Sequence, residues 1–319
     1  MGFYPPHAFA NDAQRRGTRI RPPDVNRSGG KCTVEGRSVR IGFNYVEGVG
    51  ADVALTIAEE RARNGPYRTV IDFARRTRLR REAIEHLILV GACDSFGLRR
   101  RELLWQLGLF MPDKRVGSRQ RSAGPTTWQL ALDLPTGQDM VTLAEMTDWE
   151  RMIADYDILS LSARYHPIGL MRPILPPRLV RATELEHLQD SQAVQLAGLV
   201  VCRQRPGTAH GMLFMLLEDE TGLANVIVHP PLYERRRVTI RGCPFMIVSG
   251  RLQLRDGTVN IIAADMQPIE RPPATGPQVT YPIHELLAQS ERLQSLPTEI
   301  SEEQITHLRL VAPAAHDFR

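Results

Sequence analysis

The stretch VEGVGADVALTI, Val46 to Ile57, places Gly48 and Gly50 two residues apart inside an apolar frame. No other stretch constrains the fold as tightly. Glycines at that spacing permit a backbone turn that residues with a Cβ resist, and the apolar neighbours must then be buried around it. Such a turn can cradle a nucleotide phosphate, approach a nucleic-acid backbone, or end a helix. The first use is unsupported, because the chain has no GxxxxGK[ST] and no GxGxxG following a strand.

The stretch fits the helix-hairpin-helix pattern h-x-G-h-G-x-x-x-A-x-x-h, in which h is apolar. Val46, Gly48, Val49, Gly50, Ala54 and Ile57 fill its defined positions. The pattern predicts positive φ at both glycines, Val49 plugging the space beneath the turn, and Ala54 keeping the second helix close. The amides of Gly48, Val49 and Gly50 are then able to grip a phosphate at the helix N-terminus. That helix has Asp52 in its first turn, Arg61 and Arg63 in its last, and Asn64–Pro66 as its stop. The competing reading is a glycine-bearing turn inside a core. A second unit begins at Thr69-x-x-Asp72, places Ile84, Leu87, Ile88 and Val90 on one side, and closes on Gly91 with Asp94 and Gly97 nearby. It reads as a degenerate second hairpin whose main job is packing.

Net charge is only +4, yet of 40 basic residues only Lys31 and Lys114 are lysine. The arginines cluster at 74–82, 98–102 and 234–238. Guanidinium forks match phosphate, so Arg75, Arg76, Arg80 and Arg81 are candidate DNA contacts beside the hairpin. A solvated arginine-rich surface is the alternative.

From about Ala193 the hydrophobic period shortens to that of strands, with turns at RPGTAHG, EDETG, RGCP and LRDG. About five strands with a helix-like PPLYERRR between the third and fourth predict an OB-fold barrel. Gly222 is expected to shape the EDETG turn. Arg203, Arg205, His210, Phe214, Arg251 and Arg255 are the residues such a barrel offers to single-stranded template. Aromatics make up only 6% of the chain, which is few for a stacking platform. The barrel therefore has a second reading, as a non-catalytic scaffold that docks on protein.

The rest is compositional. Residues 112–145 are rich in Gly, Ser, Pro and Thr and read as a linker. Gln106, Leu107, Leu109 and Phe110 have the Q-L-x-L-F form of sliding-clamp ligands, and Gln129–Leu134 the looser Q-x-x-L-x-L form. The first of these also reads as one face of an amphipathic helix. Asp155 and Asp157 form a DxD pair without a third carboxylate nearby. Cys32, Cys93, Cys202 and Cys243 are scattered, with no CxxC and no HExxH, so no metal site is expected. No run approaches the ~20 apolar residues of a membrane span, and no signal peptide is visible, so the expected compartment is the cytoplasm.

The order of these features resembles the C-terminal region of bacterial C-family DNA polymerases, the polymerase III alpha-subunit type, and most closely their error-prone branch. MGFYPPHAFANDAQRRGTRIRPPDVNRS resembles that family's segment at the end of the fingers. VRIGFNYVEGVG and LILVGACDSFG resemble its tandem helix-hairpin-helix region. DYDILSLSARYHPIGLMRP is similar to an error-prone signature, VVCRQRPGTAHGMLFMLLEDETGLANVIVHP to its OB domain, and AAHDFR to its ending. The family's P-D-x-D-x-D motif is absent, and so is a set of carboxylates able to hold two Mg²⁺. A nucleotidyltransferase such as a ligase is disfavoured by the lack of KxDG.

These readings predict an α+β multidomain chain, a helical tandem helix-hairpin-helix domain followed by an all-β OB-fold barrel. The expected divisions are an end-of-fingers segment at 1–38, the hairpin domain at 39–111, linker and helical segment at 112–192, the OB fold at 193–270 and a tail at 271–319. The resemblance implies a DNA-binding part of a translesion or repair polymerase, engaging primer–template and single-stranded template. It implies no cofactor in this chain, Mg²⁺ in the absent catalytic domain, and no polymerisation by the chain alone. The chain is then a truncated product, one half of a split enzyme, or a fragment. Expected partners are the missing polymerase half, a sliding clamp or other translesion factors.

Overall fold

The computed structural model describes residues 6–111, 141–255, 257–269 and 316–318. Contacts divide them into two units, one of residues 19–111 and 141–159, the other of residues 6–18, 160–269 and 316–318. The first helix, α1 (Pro6–Arg15), belongs to the second unit.

The helical unit opens with a small sheet of β1 (Arg19–Arg21), β2 (Thr33–Glu35) and β3 (Ser38–Arg40), in the order β1-β3-β2. Arg40 is buried and makes paired bonds to Glu35, Nε to Oε1 at 2.6 Å and Nη2 to Oε2 at 2.9 Å. Those bonds hold the Glu35 carboxyl below the usual range.

Phe43–Tyr45 forms a single 3₁₀ turn, so what precedes the first hairpin is one turn rather than a full helix. Then come α2 (Ala51–Asn64), α3 (Val70–Thr77), α4 (Arg81–Leu89), α5 (Arg100–Phe110) and α6 (Asp148–Leu159). Helix α2 stops at Gly65, whose φ of 77° no β-carbon-bearing residue adopts cheaply. Thr69 caps α3 by accepting the Asp72 N–H at 3.0 Å, as the Thr-x-x-Asp spacing predicts. Arg76 ties α3 to α2. It bonds Glu60 at 3.0 Å and the Gly65 carbonyl at 2.8 Å, and lies 4.4 Å above the Tyr67 ring. Phe43, Ile57, Phe73, Ile84, Leu87, Ile88, Leu103 and Leu107 are fully buried core residues, each side chain worth about 1.5–3 kcal/mol of transfer free energy. Helix α6 packs on α4, and its Glu150 pairs with Arg101 at 2.8 Å in a buried contact.

The second unit is a closed five-stranded barrel. Its strands are β4 (Ala193–Gln204), β5 (Leu213–Glu218), β6 (Leu223–Val228), β7 (Phe245–Arg255) and β8 (Thr258–Pro268). The pairing order β5-β6-β8-β7-β4 closes because β4 also pairs with β5. Strand β4 is long enough to serve both neighbours, pairing β7 along Ala193–Leu199 and β5 along Leu199–Gln204. Three short helices, α7 (Pro167–Met171) before β4 and the pair α8 (Pro230–Arg235) and α9 (Arg237–Gly242) between β6 and β7, accompany the strands. Helices between the third and fourth strands give the OB-like arrangement expected from PPLYERRR. Inward residues such as Leu196, Leu217, Val228, Met246, Val248 and Ile261 are fully buried.

The β5–β6 turn is set by Asp219 rather than by Gly222. Asp219 Oδ1 accepts from Thr221 N at 2.7 Å and Gly222 N at 2.8 Å, and Gly222 keeps a negative φ. Helix α1 docks here through Gln14 to the Ala163 carbonyl at 2.7 Å and an ion pair between Arg15 and Glu218. The short β9 (His316–Phe318) runs parallel to β4 at Cys202–Gln204. Residues 112–140, including Gln129–Leu134, lie outside the described residues.

Candidate nucleic-acid interface

The first hairpin is a four-residue turn, Val46 to Val49, closed by the Val49 N–H on the Val46 carbonyl at 3.0 Å. Gly48 occupies its third position with φ +78°, the signature of a type II turn. Val46 and Val49 point into the core, at 2% and 3% exposure. Gly50 departs from the expected geometry. Its φ is −71° and its ψ 174°, ordinary extended backbone that any residue adopts. A β-carbon added there meets nothing within 4 Å. Neither torsion nor crowding within the protein calls for glycine at 50.

Gly50 is the N-cap of α2, and no side chain caps that first turn. Serine, threonine, asparagine and aspartate cap better. The bare end leaves helix N–H groups without intrahelical partners, at the positive end of the helix dipole. Gly48, Gly50 and Ala51 are all exposed beside it. Asp52 is exposed in the same turn and supplies an opposing charge.

Glu47 fastens this turn from two directions. Its N–H donates to the Ile158 carbonyl at the end of α6, at 2.9 Å. Its carbonyl lies 2.7 Å from His86 Nδ1 on α4. Neither tie was foreseen from sequence. Partners 39 residues apart leave no local pattern to read.

The second hairpin is built differently. Gly91, φ +82°, ends α4: the Gly91 N–H donates to the Ile88 carbonyl at 3.0 Å and the Ala92 N–H to the Leu87 carbonyl at 2.8 Å. That bond pair is the Schellman helix stop. A β-carbon at Gly91 would come within 2.2 Å of Arg100 Nη2 and 2.7 Å of Asp94 Oδ2. Arg100 is buried, paired with Asp94 by two 3.0 Å bonds, and donates to the Leu89 carbonyl at 2.6 Å. The space beside this glycine is therefore filled by the protein's own guanidinium. Burial pushes the neighbouring Cys93 thiol up.

The arginines named from sequence separate into groups. Arg76 is the α2–α3 tie, and Arg81 bonds Glu85 and the Met111 carbonyl, both at 2.7 Å. Arg80, at the N-cap of α4, and Arg75 are exposed. In the barrel, Arg203 is buried and donates to the carbonyls of Ile240 at 2.7 Å and Cys243 at 2.9 Å. Arg205 is exposed but lies 4.4 Å above the Tyr233 ring and 3.9 Å from Glu234. Arg251 donates to the Ser191 carbonyl at 3.2 Å. Cross-strand register places Phe214 opposite Ile227, Ile227 opposite Ile262, and Ile262 opposite Arg251. Phe214 and Arg251 thus share one row across four of the strands, with exposed His210 in the β4–β5 loop and exposed Arg255 at the end of β7.

Gln106, Leu107, Leu109 and Phe110 form the last turn of α5. Leu107 is in the core and Leu109 is 53% exposed. Asp155 is buried on α6. Among the described residues no group of three or more His, Cys, Asp or Glu is placed to hold a metal ion. Among them, too, no helix is long and apolar enough to cross a membrane.

A hairpin-bearing helical unit joined to an OB-like barrel defines the class, a multidomain chain of the helix-hairpin-helix type. Residues 17–103 match the family described as "Helix-hairpin-helix motif". The chain is 36% identical over 289 residues to the error-prone DNA polymerase of Anaeromyxobacter sp. (strain K), a match spanning 86% of this chain and 24% of that one. It is 34% identical over 277 residues to error-prone DNA polymerase 2 of Agrobacterium fabrum, spanning 83% and 25%. The chain is thus homologous to the C-terminal part of error-prone DNA polymerases, and it spans about a quarter of the length of the relatives it matches. Among solved structures, asparaginyl-tRNA synthetase from Pyrococcus horikoshii matches 42% of this chain and 29% of its own at 20% identity and a TM-score of 0.26, which carries no argument.

Proposed function

We propose that this chain is a DNA-binding part of an error-prone polymerase and grips the duplex backbone through Gly48–Val53. The observation that carries this is Gly50, a glycine that the protein's own torsion angles and packing do not require. A glycine unexplained from within is explained by something approaching from outside. Phosphate is the ligand that suits an uncapped helix N-terminus. Arg75 and Arg80 add positive charge, while Arg76 and Arg81 serve the fold. Polymerisation then depends on carboxylates and Mg²⁺ held by residues outside this chain.

The barrel supports a second reading. Arg203, Arg205 and Arg251 all have intramolecular partners, which favours a barrel that docks on protein over one that clamps template. The row from Phe214 to Arg251 is the face where template contact is to be sought.

The test is fluorescence anisotropy of a labelled primer–template with the full chain across a salt series. Wild type is expected to bind with a log–log salt slope near −0.9 per phosphate contacted. Gly50→Val should weaken binding by about tenfold or more while staying folded with a modestly lower melting temperature, since Val accepts φ −71° but caps a helix less well than glycine. Equal binding by the two proteins would sink the proposal. If Arg251→Ala or Phe214→Ala also weakens binding of single-stranded template, the barrel joins the interface; if neither does, the docking reading holds.

A further inference from the structure

We infer that His86 is a positioning residue for the first hairpin, one that holds the Gly48 N–H in the orientation a phosphate needs. This rests on the DNA-binding reading of Gly48–Val53.

The inference begins with a peptide plane. The Glu47 carbonyl and the Gly48 N–H belong to one trans amide, so they point in opposite directions. In a four-residue turn that amide is the middle peptide. Type I and type II turns differ chiefly by its flip, which changes the sign of φ at the third residue. Gly48, at φ +78°, shows which of the two orientations is present. His86 Nδ1 lies 2.7 Å from the Glu47 oxygen, so the imidazole donates Nδ1–H to that carbonyl. The carbonyl is thereby drawn toward α4, and the Gly48 N–H is directed away from it. The flipped peptide would turn the carbonyl outward, where it repels phosphate, and would cost the His86 bond.

A second effect runs the same way. A hydrogen bond accepted by an amide carbonyl polarises the amide and strengthens its N–H as a donor. The Glu47 N–H is anchored independently to Ile158 at 2.9 Å. The residue before the glycine is therefore fixed by α6, and the peptide after it by α4. Helix α4 belongs to the second hairpin, whose own glycine faces a filled space. The second hairpin then contributes to recognition without touching DNA, by lending a side chain to the first. The imidazole also sits where it does not crowd the turn, because a β-carbon on Gly48 would lie 3.6 Å from Nδ1, an ordinary contact.

The experiment uses the full chain with His86→Leu and His86→Asn beside wild type and Gly50→Val. Leu removes the donor. Asn places an amide N–H close to the position of Nδ1. Each protein is titrated against labelled primer–template over a salt series and melted without DNA. The expected result is about fivefold weaker binding for His86→Leu, the share of one hydrogen bond. Its salt slope should shrink by about 0.9, one phosphate contact. His86→Asn should bind within about twofold of wild type and keep the wild-type slope, as one restored hydrogen bond implies. Wild-type affinity and slope in His86→Leu would overturn the inference. So would equal loss in both variants with a lowered melting temperature and an unchanged slope, which marks a structural role only. If Gly50→Val binds like wild type, the hairpin reading itself fails. If Gly50→Val loses binding and His86→Leu does not, the positioning role alone fails.

Discussion

The two hairpins of the helical unit start from similar material, an apolar residue followed by glycine, and put it to opposite uses. Gly91 is needed by the fold twice over, for its left-handed backbone and for the Arg100–Asp94 pair packed against it. At the first hairpin the same duties are divided. Gly48 supplies the left-handed torsion, and Gly50 keeps a surface clear. One hairpin has a guanidinium of the protein packed against its glycine; at the other, the uncapped N-terminus of α2 lies open beside its glycine. A glycine motif therefore says that backbone will be approached closely, and the surroundings decide whether the approaching group is internal or external.

The comparison can be broken most forcefully at Gly91. Gly91→Val must adopt a strained torsion and displace a buried, paired guanidinium, which should cost about 3 kcal/mol or more in denaturant unfolding. A variant as stable as wild type would show that the second hairpin is not filled as described.

A smaller and opposite effect is expected from Gly50→Ser, which installs a side-chain cap on α2. Stability should rise by a few tenths of a kcal/mol, because glycine is only slightly worse than serine there. DNA affinity should fall about threefold as the hydroxyl competes for the N–H groups. A joint gain in stability and affinity would contradict the division of duties between Gly48 and Gly50.

The slightest effect concerns acid. Hydrogen bonds from Asn64 and Arg76 hold the Glu60 carboxyl below its ordinary 4.5. As pH falls, the unfolded chain takes up that proton first. The stabilisation is therefore present above pH 4.5 and is lost as pH drops through the lower folded-state value. Wild type should lose slightly more stability than Glu60→Gln between about pH 5 and pH 3. Parallel curves would show that Glu60 does not help hold α2 to α3.

Much of this was readable beforehand where the physics is local. The span of α2 follows from its terminal charges and the Asn-Gly-Pro stop, and the α3 cap from Thr69 and Asp72. The barrel follows from strand periodicity interrupted by a helix-like segment at Pro230. What escaped was non-local. The sheet of β1, β2 and β3 has strands too short to show alternation. The ties from Glu47 to Ile158 and His86 bridge segments with no shared pattern. Sequence also treats Gly48 and Gly50 alike, since only torsion and surroundings tell a required glycine from a permitted one. The same blindness applies to arginine. Arg76, Arg80 and Arg81 look equivalent in a basic run, yet two of them are structural ties.

The barrel unit draws on both sides of the helical unit in sequence, joining Gln14 to Ala163 and Arg15 to Glu218 across separations of 149 and 203 residues. During synthesis, α1 thus leaves the ribosome long before anything it packs against. The helical unit, continuous over its described strands and helices from Arg19 to Phe110 and completed by α6, is free to fold first, domain by domain as chains of this size do. Once the helical unit has folded, the closure entropy for α1 is that of a much shorter loop. The helical unit in this sense acts as the hinge pin of assembly: a variant that slows its folding should also delay capture of α1 by the barrel, although no residue of α1 has been changed.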